Sequence, residues 1–343
     1  MRWCCANRGF KIVSTPKSLL HVRWSKIPRY LARITRKSAC AFVSIAICSV
    51  FFRQLNINAQ MEYLLDSSRI NNLMGVLRTT PSAEKSNRPI IAVIAYGLPR
   101  SLRFTISSIQ QNIIAPLEEA GFGTCIYAHT YLHSKIISNA RSRETNITLD
   151  NEEINMLRPC KQSAEQLESV LVKQSGLLKA VKQHGDGWRD GYETATRYLL
   201  ALHSLRVAVE LALSSETWHV GMVIIRPDLL YHDRLDVELL TRAISLNSVV
   251  VPRWHTFGGL NDRFSFGAVQ PMSQIGTRYN LISEYLSTRH KFHAERFMGW
   301  AIAKILEDVH GHVLCTSMTA SRVRAHGKNK RENFSKSIAK ICA

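Results

Sequence analysis

The segment from Ile90 to Tyr131 constrains this chain more than any other. Ile90–Tyr96 is a β-branched apolar run that stops at Gly97. Leu102, Ile106, Ile109 and Ile113 then recur at spacings of four, three and four, the signature of one helix face. Pro116 and Gly121 close that helix, and Gly123–Tyr131 reads as a second strand. Strand, helix and strand within about 40 residues form the unit from which parallel sheets are built. In an open sheet of that kind, ligands bind in the crevice beyond the carboxyl ends of the strands.

Further elements follow the same logic. His133–Cys160 is polar and predicts a loop or insertion. Ser163–Gln183 and Thr194–Ser214 predict helices, the second carrying Leu199, Leu202, Leu205, Val209 and Leu213 along one side. Gly185–Gly191 is a turn between them. His219–Ile225 and Val249–Pro252 predict core strands, and Ala294–Val309 predicts a helix with Phe297, Ala301 and Ile305 on one face. The sequence after Arg322 is basic and predicts a loosely ordered end. No internal repeat is present.

The net charge of +19 is unevenly spread. Residues 1–61 hold eleven Lys or Arg and no acid, leaving only +8 for the remaining 282 residues. A mildly basic folded part favours phosphorylated ligands and gives little support to nucleic acid as a partner. Within the basic arm, residues 38–55 contain the uncharged run Ser38–Phe52, bounded by Arg36, Lys37 and Arg53. That run predicts a signal anchor, with residues 1–37 as a cytosolic tail and the rest in the lumen of the Golgi or ER. An organelle transit peptide is the alternative, since residues 1–37 are Arg-rich and acid-free. Residues 56–88 read as a linker, 89–327 as the main domain, and 328–343 as a basic C-terminal tail.

Cys125, Cys160, Cys315 and Cys342 lie beyond the anchor. They permit two disulfides in any of three pairings, or separate thiols. No Cys-x-x-Cys or zinc-type spacing occurs, which argues against a structural zinc. Trp188, Trp254 and Trp300 read as core residues, with a sugar-stacking platform as the alternative.

Two motifs carry the chemistry. Met222–Tyr231 is an apolar strand that ends in Arg226-Pro-Asp228, and Gly258–Gly267 contains Asn261-Asp262-Arg263-Phe264 before another strand. Asp228 and Asp262 are 34 positions apart, at the ends of strands expected to be neighbours. Arg226 suits bidentate contact with phosphate. Arg100, in Gly97-Leu-Pro-Arg-Ser101, sits where strand turns into helix, a place where a cation and free backbone N–H groups can meet an anion. The turn has no glycine-rich P-loop, and Ser101 reads equally as a plain N-cap.

In this order, the motifs resemble the nucleotide-sugar-dependent glycosyltransferases of GT-A type, over roughly Pro89 to Gly327. The resemblance implies an α/β fold, a Rossmann-type and mostly parallel sheet flanked by helices. It implies transfer of a sugar from a nucleotide-sugar donor to a hydroxyl on a glycan, protein or lipid. It also implies Mn²⁺ or Mg²⁺ held by Asp228 and completed by His326, with Asp262 or Glu295 as the base. The usual Asp-x-Asp is altered here, because Arg226 replaces its first carboxylate. Two other classes fit parts of the pattern. One is a Golgi sulfotransferase, faintly suggested by Gly97–Ser101; the other is a non-catalytic lumenal binding protein on a transferase fold.

Overall fold

The computed structural model describes residues 88–132, 137–139, 144–335 and 337–338. The chain divides into two units, Met1–Thr79 and Thr80–Ala343. The first unit, with the predicted anchor at 38–55, lies outside the described residues, as does Cys342. Among the described residues no helix is long and apolar enough to cross a membrane.

The second unit begins with the predicted unit: β1 (Ile90–Tyr96), α1 (Leu102–Ile109), α2 (Ala115–Glu119) and β2 (Gly123–Leu132). A π-helical turn, Gln110–Ile114, joins the two helices just before Pro116, which has no N–H to continue the α ladder. Strand β1 is the centre of the molecule. Ala92, Ile94 and Tyr96 face one core, shared with Leu199, Leu202, Leu205 and Val209 of α5 (Glu193–Leu213). Ile91, Val93 and Ala95 face the other, with Leu102, Ile109 and Ile113. A period of two on the strand thus meets a period of 3.6 on each covering helix. Each fully buried Leu, Ile or Val contributes about 1.5–3 kcal/mol.

Seven strands make the main sheet, in the order β10-β8-β9-β6-β1-β2-β5. They include β5 (Lys161–Gln166), β6 (His219–Ile225), β8 (Val249–Pro252), β9 (Ser265–Ala268) and β10 (Val313–Thr316). All pairings are parallel except those of β9, which runs antiparallel to both β6 and β8. The mostly parallel α/β sheet is therefore as expected. The chain leaves β1 toward β2 on one side and returns to β6 on the other, so the order reverses between β1 and β6. Because β9 runs the opposite way, its start lies at the same edge as the ends of β1, β6 and β8.

Three local expectations are corrected. The helix predicted from Ser163 is preceded by β5, an edge strand whose sequence, Lys-Gln-Ser-Ala-Glu-Gln, shows no apolar alternation; helices α3 (Leu167–Lys173) and α4 (Ser175–His184) follow it. The predicted 133–160 loop contains a small antiparallel pair, β3 (Ile137–Asn139) with β4 (Glu144–Ile147). The segment after Arg322 is not loose throughout, since Glu332 and Phe334 pack against the domain. The Glu332 side chain is 2% exposed beside Arg263 at 3.1 Å and His255 at 3.5 Å. Phe334 packs edge-on against Trp254, their rings 4.9 Å apart.

Candidate functional site

Arg100 and Asp228 meet at the point where the strand order reverses. Gly97 turns the chain at the end of β1 with φ +97°, a conformation that favours glycine, and donates its N–H to Ser204 Oγ at 2.8 Å. The turn then delivers Arg100, whose guanidinium lies 3.7 Å from Asp228 Oδ2 and 3.2 Å from Glu144 Oε2. Ser101 is not a side-chain N-cap. Its hydroxyl instead donates to Val323 O at 3.0 Å, tying the turn to the far end of the chain.

Asp228 follows β6 and precedes β7 (Leu229–Tyr231), which pairs antiparallel with β11 (Ala320–Arg322). That register sets Arg322 opposite Leu229, and Val323 N–H donates to Asp228 O at 2.9 Å. The Arg226 guanidinium grips the carboxylate on both oxygens, Nε to Oδ1 at 2.9 Å and Nη2 to Oδ2 at 2.8 Å. Burial alone would raise the Asp228 pKa. Arg226, by charge and by hydrogen bond, and then Arg100 and Arg322 hold it well below the usual carboxylate range. The basic partners are themselves crowded. Burial, then Arg263 and Arg226, pull Arg322 down to about 10.

Asp262 reaches the same edge from β9. Buried Asn261 donates its amide to Trp254 O at 2.7 Å and accepts the Arg263 N–H at 2.9 Å, which holds the turn and leaves Asp262 half-exposed. Helix α9 (Ala294–Val309) abuts this turn. Leu260 N–H donates to Glu295 O at 2.9 Å, and a Cβ on Gly259 would stand 1.8 Å from that same oxygen. Only glycine permits this approach, and it brings Glu295 close to Asp262. Glu295 is not a solvated helix-start acid. Burial first, and the Asp262 charge second, push its carboxyl up to about 8, while His293 Nδ1 lies 3.2 Å away.

The sequence-predicted residues thus divide. Arg100, Arg226 and Asp228 form one cluster, and Asp262 and Glu295 form a second beside it. The Asp262 charge also acts on Arg226 and on buried Tyr96, whose hydroxyl is pushed upward mainly by burial. His326 stands exposed on the turn between Arg324 and Lys328. Among the described residues no three His, Cys, Asp or Glu side chains form a metal-ligand set. Both Asp228 oxygens accept from Arg226, within a basic surround of Arg100 and Arg322.

Sequence reasoning missed Glu144, Arg263, Arg278 and Glu332. Glu144 lies in the region predicted as loop. Arg278 is 2% exposed and acts electrostatically on both Tyr96 and Tyr198. The alternation Arg322-Val323-Arg324 around a buried valine, at the end of β11, was the available signal that this basic segment is packed. Of Trp188, Trp254 and Trp300, only Trp254 packs as a core residue does; the other two are half-buried against the core. Trp254 is 1% exposed with its N–H on Met318 O, Trp188 stacks on His293 and Trp300 on Phe297. Cys125 and Cys160 are joined, and Cys315 is also disulfide-bonded.

No protein-family model and no curated protein matches this chain. Solved structures do. Mouse xyloside xylosyltransferase 1, in its apo form, is 14% identical with a TM-score of 0.35; the match covers 66% of this chain and 85% of that one. A putative nucleotide-diphospho-sugar transferase from Desulfovibrio desulfuricans G20 is 11% identical with a TM-score of 0.33, covering 67% and 80%. At these values the likeness says nothing of what this chain binds.

Proposed function

We propose that this chain transfers a glycosyl group from a nucleoside-diphosphate sugar to a hydroxyl of a glycan, protein or lipid acceptor. One observation carries the reading: an arginine cluster around Asp228 and a carboxylate pair, Asp262 and Glu295, share the strand-end edge of an α/β sheet. Guanidinium groups at a crevice suit a diphosphate, since planar paired donors match phosphate oxygens. They also stabilise the charge that develops as the nucleoside diphosphate departs.

In the step itself, the acceptor oxygen forms a bond to the anomeric carbon while the bond from that carbon to the phosphate oxygen breaks. The acceptor's proton passes to a carboxylate within hydrogen-bond reach. Asp262 is the better base, because Glu295 keeps its own proton at neutral pH. Glu295 then orients the acceptor by donating a hydrogen bond. The Cys125–Cys160 disulfide supports a compartment that is oxidising, such as the lumen of the Golgi or ER. The basic arm and the 38–55 segment would anchor the chain there.

The test is to incubate the full-length protein with UDP-, GDP- and CMP-sugars and with the sulfate-donor nucleotide, each with a panel of glycan, protein and lipid hydroxyl acceptors, and to measure acceptor-dependent nucleotide release. Release from a diphosphate sugar, lost in Asp262→Asn, is the expected result. Turnover of the sulfate donor alone would point to a sulfotransferase instead. Nucleotide binding with no turnover on any donor would leave a binding protein.

A further inference from the structure

Among the described residues the site carries an excess of positive charge. Arg100, Arg226, Arg263, Arg322, Arg324 and Lys330 are linked through shared acids: Asp228, Glu144 and Glu332. With Asp262 counted as a fourth carboxylate, six cations face four acids among the described residues. The crowding has consequences. Arg324 is lowered by burial and then by Arg100, and Lys330 by burial and then by Arg322. Folding has therefore gathered like charges at a cost, and an anion entering among them relieves it.

The same side chains remain reachable. Arg226 is 24% exposed and Arg322 30%. Arg226 uses two of its N–H groups on Asp228 and keeps the rest of its fork for another acceptor. Asp228 is spoken for by that bidentate pair and by Val323 N–H on its backbone oxygen. Its role is to hold guanidinium groups in place, since Arg226 bonds both its oxygens and Arg100 and Arg322 add further positive charge around it, a surround that disfavours a second cation.

Building on the nucleotide-sugar reading, we infer that Arg100, Arg226, Arg322 and Arg324 bind the donor's diphosphate directly, without a divalent metal, and that Asp228 is their positioning residue. The cations provide from fixed side chains the charge that a metal would otherwise bring. β11 and the residues that follow it add two of them, Arg322 and Arg324. Val323 is buried while its neighbours Arg322 and Arg324 flank it, and the segment is held where Val323 O accepts from Ser101 Oγ and Val323 N–H donates to Asp228 O.

Binding of UDP, GDP and inorganic pyrophosphate to the full-length protein tests this by calorimetry, once in EDTA and once in Mn²⁺. The expected result is one nucleoside diphosphate binding equally well in both, with affinity falling as salt rises. Arg322→Ala should weaken it by about tenfold or more, the loss of one charge-assisted contact, and Arg324→Gln should weaken it too. A melting curve for each variant separates lost binding from lost folding; if Arg322→Ala is unfolded, Arg324→Gln carries the test. Binding seen only with Mn²⁺ would overturn the metal-free cradle and leave the nucleotide-sugar reading standing. Pyrophosphate binding without any nucleoside diphosphate would keep the cradle and remove that reading. No binding of any probe in either buffer overturns both.

Discussion

Arg226 and Asp228, two positions apart, close on each other through a two-bond fork of 2.9 and 2.8 Å at the carboxyl end of the strand beside β1. The intervening Pro227 fixes the backbone between them, and its carbonyl accepts the Thr105 hydroxyl at 2.6 Å. The pair is buried enough that Asp228 is only 5% exposed. Breaking one side of it is therefore a structural event as well as a functional one.

Asp228→Asn should cost about 3–5 kcal/mol of stability, because it leaves Arg226 without its bidentate counter-charge. Arg226→Leu combined with Asp228→Leu should cost less than either single change, since no buried charge is then left unpaired. Chemical denaturation of Asp228→Asn, the two Leu single variants and the double variant decides this. The linkage has a definite sign. The folded carboxyl has a depressed pKa, so its stabilisation is complete above the ordinary value of 3.8 and is lost as pH falls below it.

Glu295 titrates the opposite way. Its folded pKa of about 8 exceeds the ordinary 4.5, so the folded chain holds a proton that the unfolded chain has released between those values. Stability should fall as pH rises through that window. Glu295→Gln should flatten the decline and melt higher than the parent at pH near 8. A parent and variant with parallel pH–stability curves would contradict the assignment.

Gly259→Ala should destabilise by about 1–3 kcal/mol or prevent folding, because the new Cβ would overlap the Glu295 carbonyl backbone. Gly176→Ala, in the first turn of α4 with nothing within 4 Å of its added Cβ, is the control. It should be neutral or stabilise by about 0.4–1 kcal/mol. Urea midpoints measured side by side give the comparison.

Replacing Cys125 and Cys160 together by Ala should remove about 3–4 kcal/mol, the loop-closure contribution of a link spanning 35 positions. The readout is the melting temperature under oxidising conditions, where Cys315 keeps its own bond. Unchanged melting would show that the link does not form in solution.

The parts of this fold that the sequence disclosed are those where burial writes a period. β1, α5, β6 and α9 each bury an apolar face, and each was found within a residue or two. β5 escaped because an edge strand of Lys, Gln, Ser and Glu is held by backbone pairing to β2 and not by apolar alternation. The site was legible where a strand end carried its own marker, as at Arg226–Asp228 and Asp262. It was not legible where partners came from afar. Glu144 to Arg100, and Glu332 to Arg263 and His255, are contacts between segments whose local sequence gives no hint of each other. His326 shows the converse: its residue type suited a metal ligand, but it stands exposed on a turn outside any described set of ligands.

Hydrogen exchange of the full-length protein, with and without a panel of nucleoside-diphosphate sugars, tests the central claim most directly. Diphosphate binding among the strand-end arginines should slow exchange at residues 97–103, 226–231 and 320–325 together, with one donor and not the others. Protection elsewhere in the sheet, with those three segments unchanged under every donor, would contradict the assignment of this edge as the binding site.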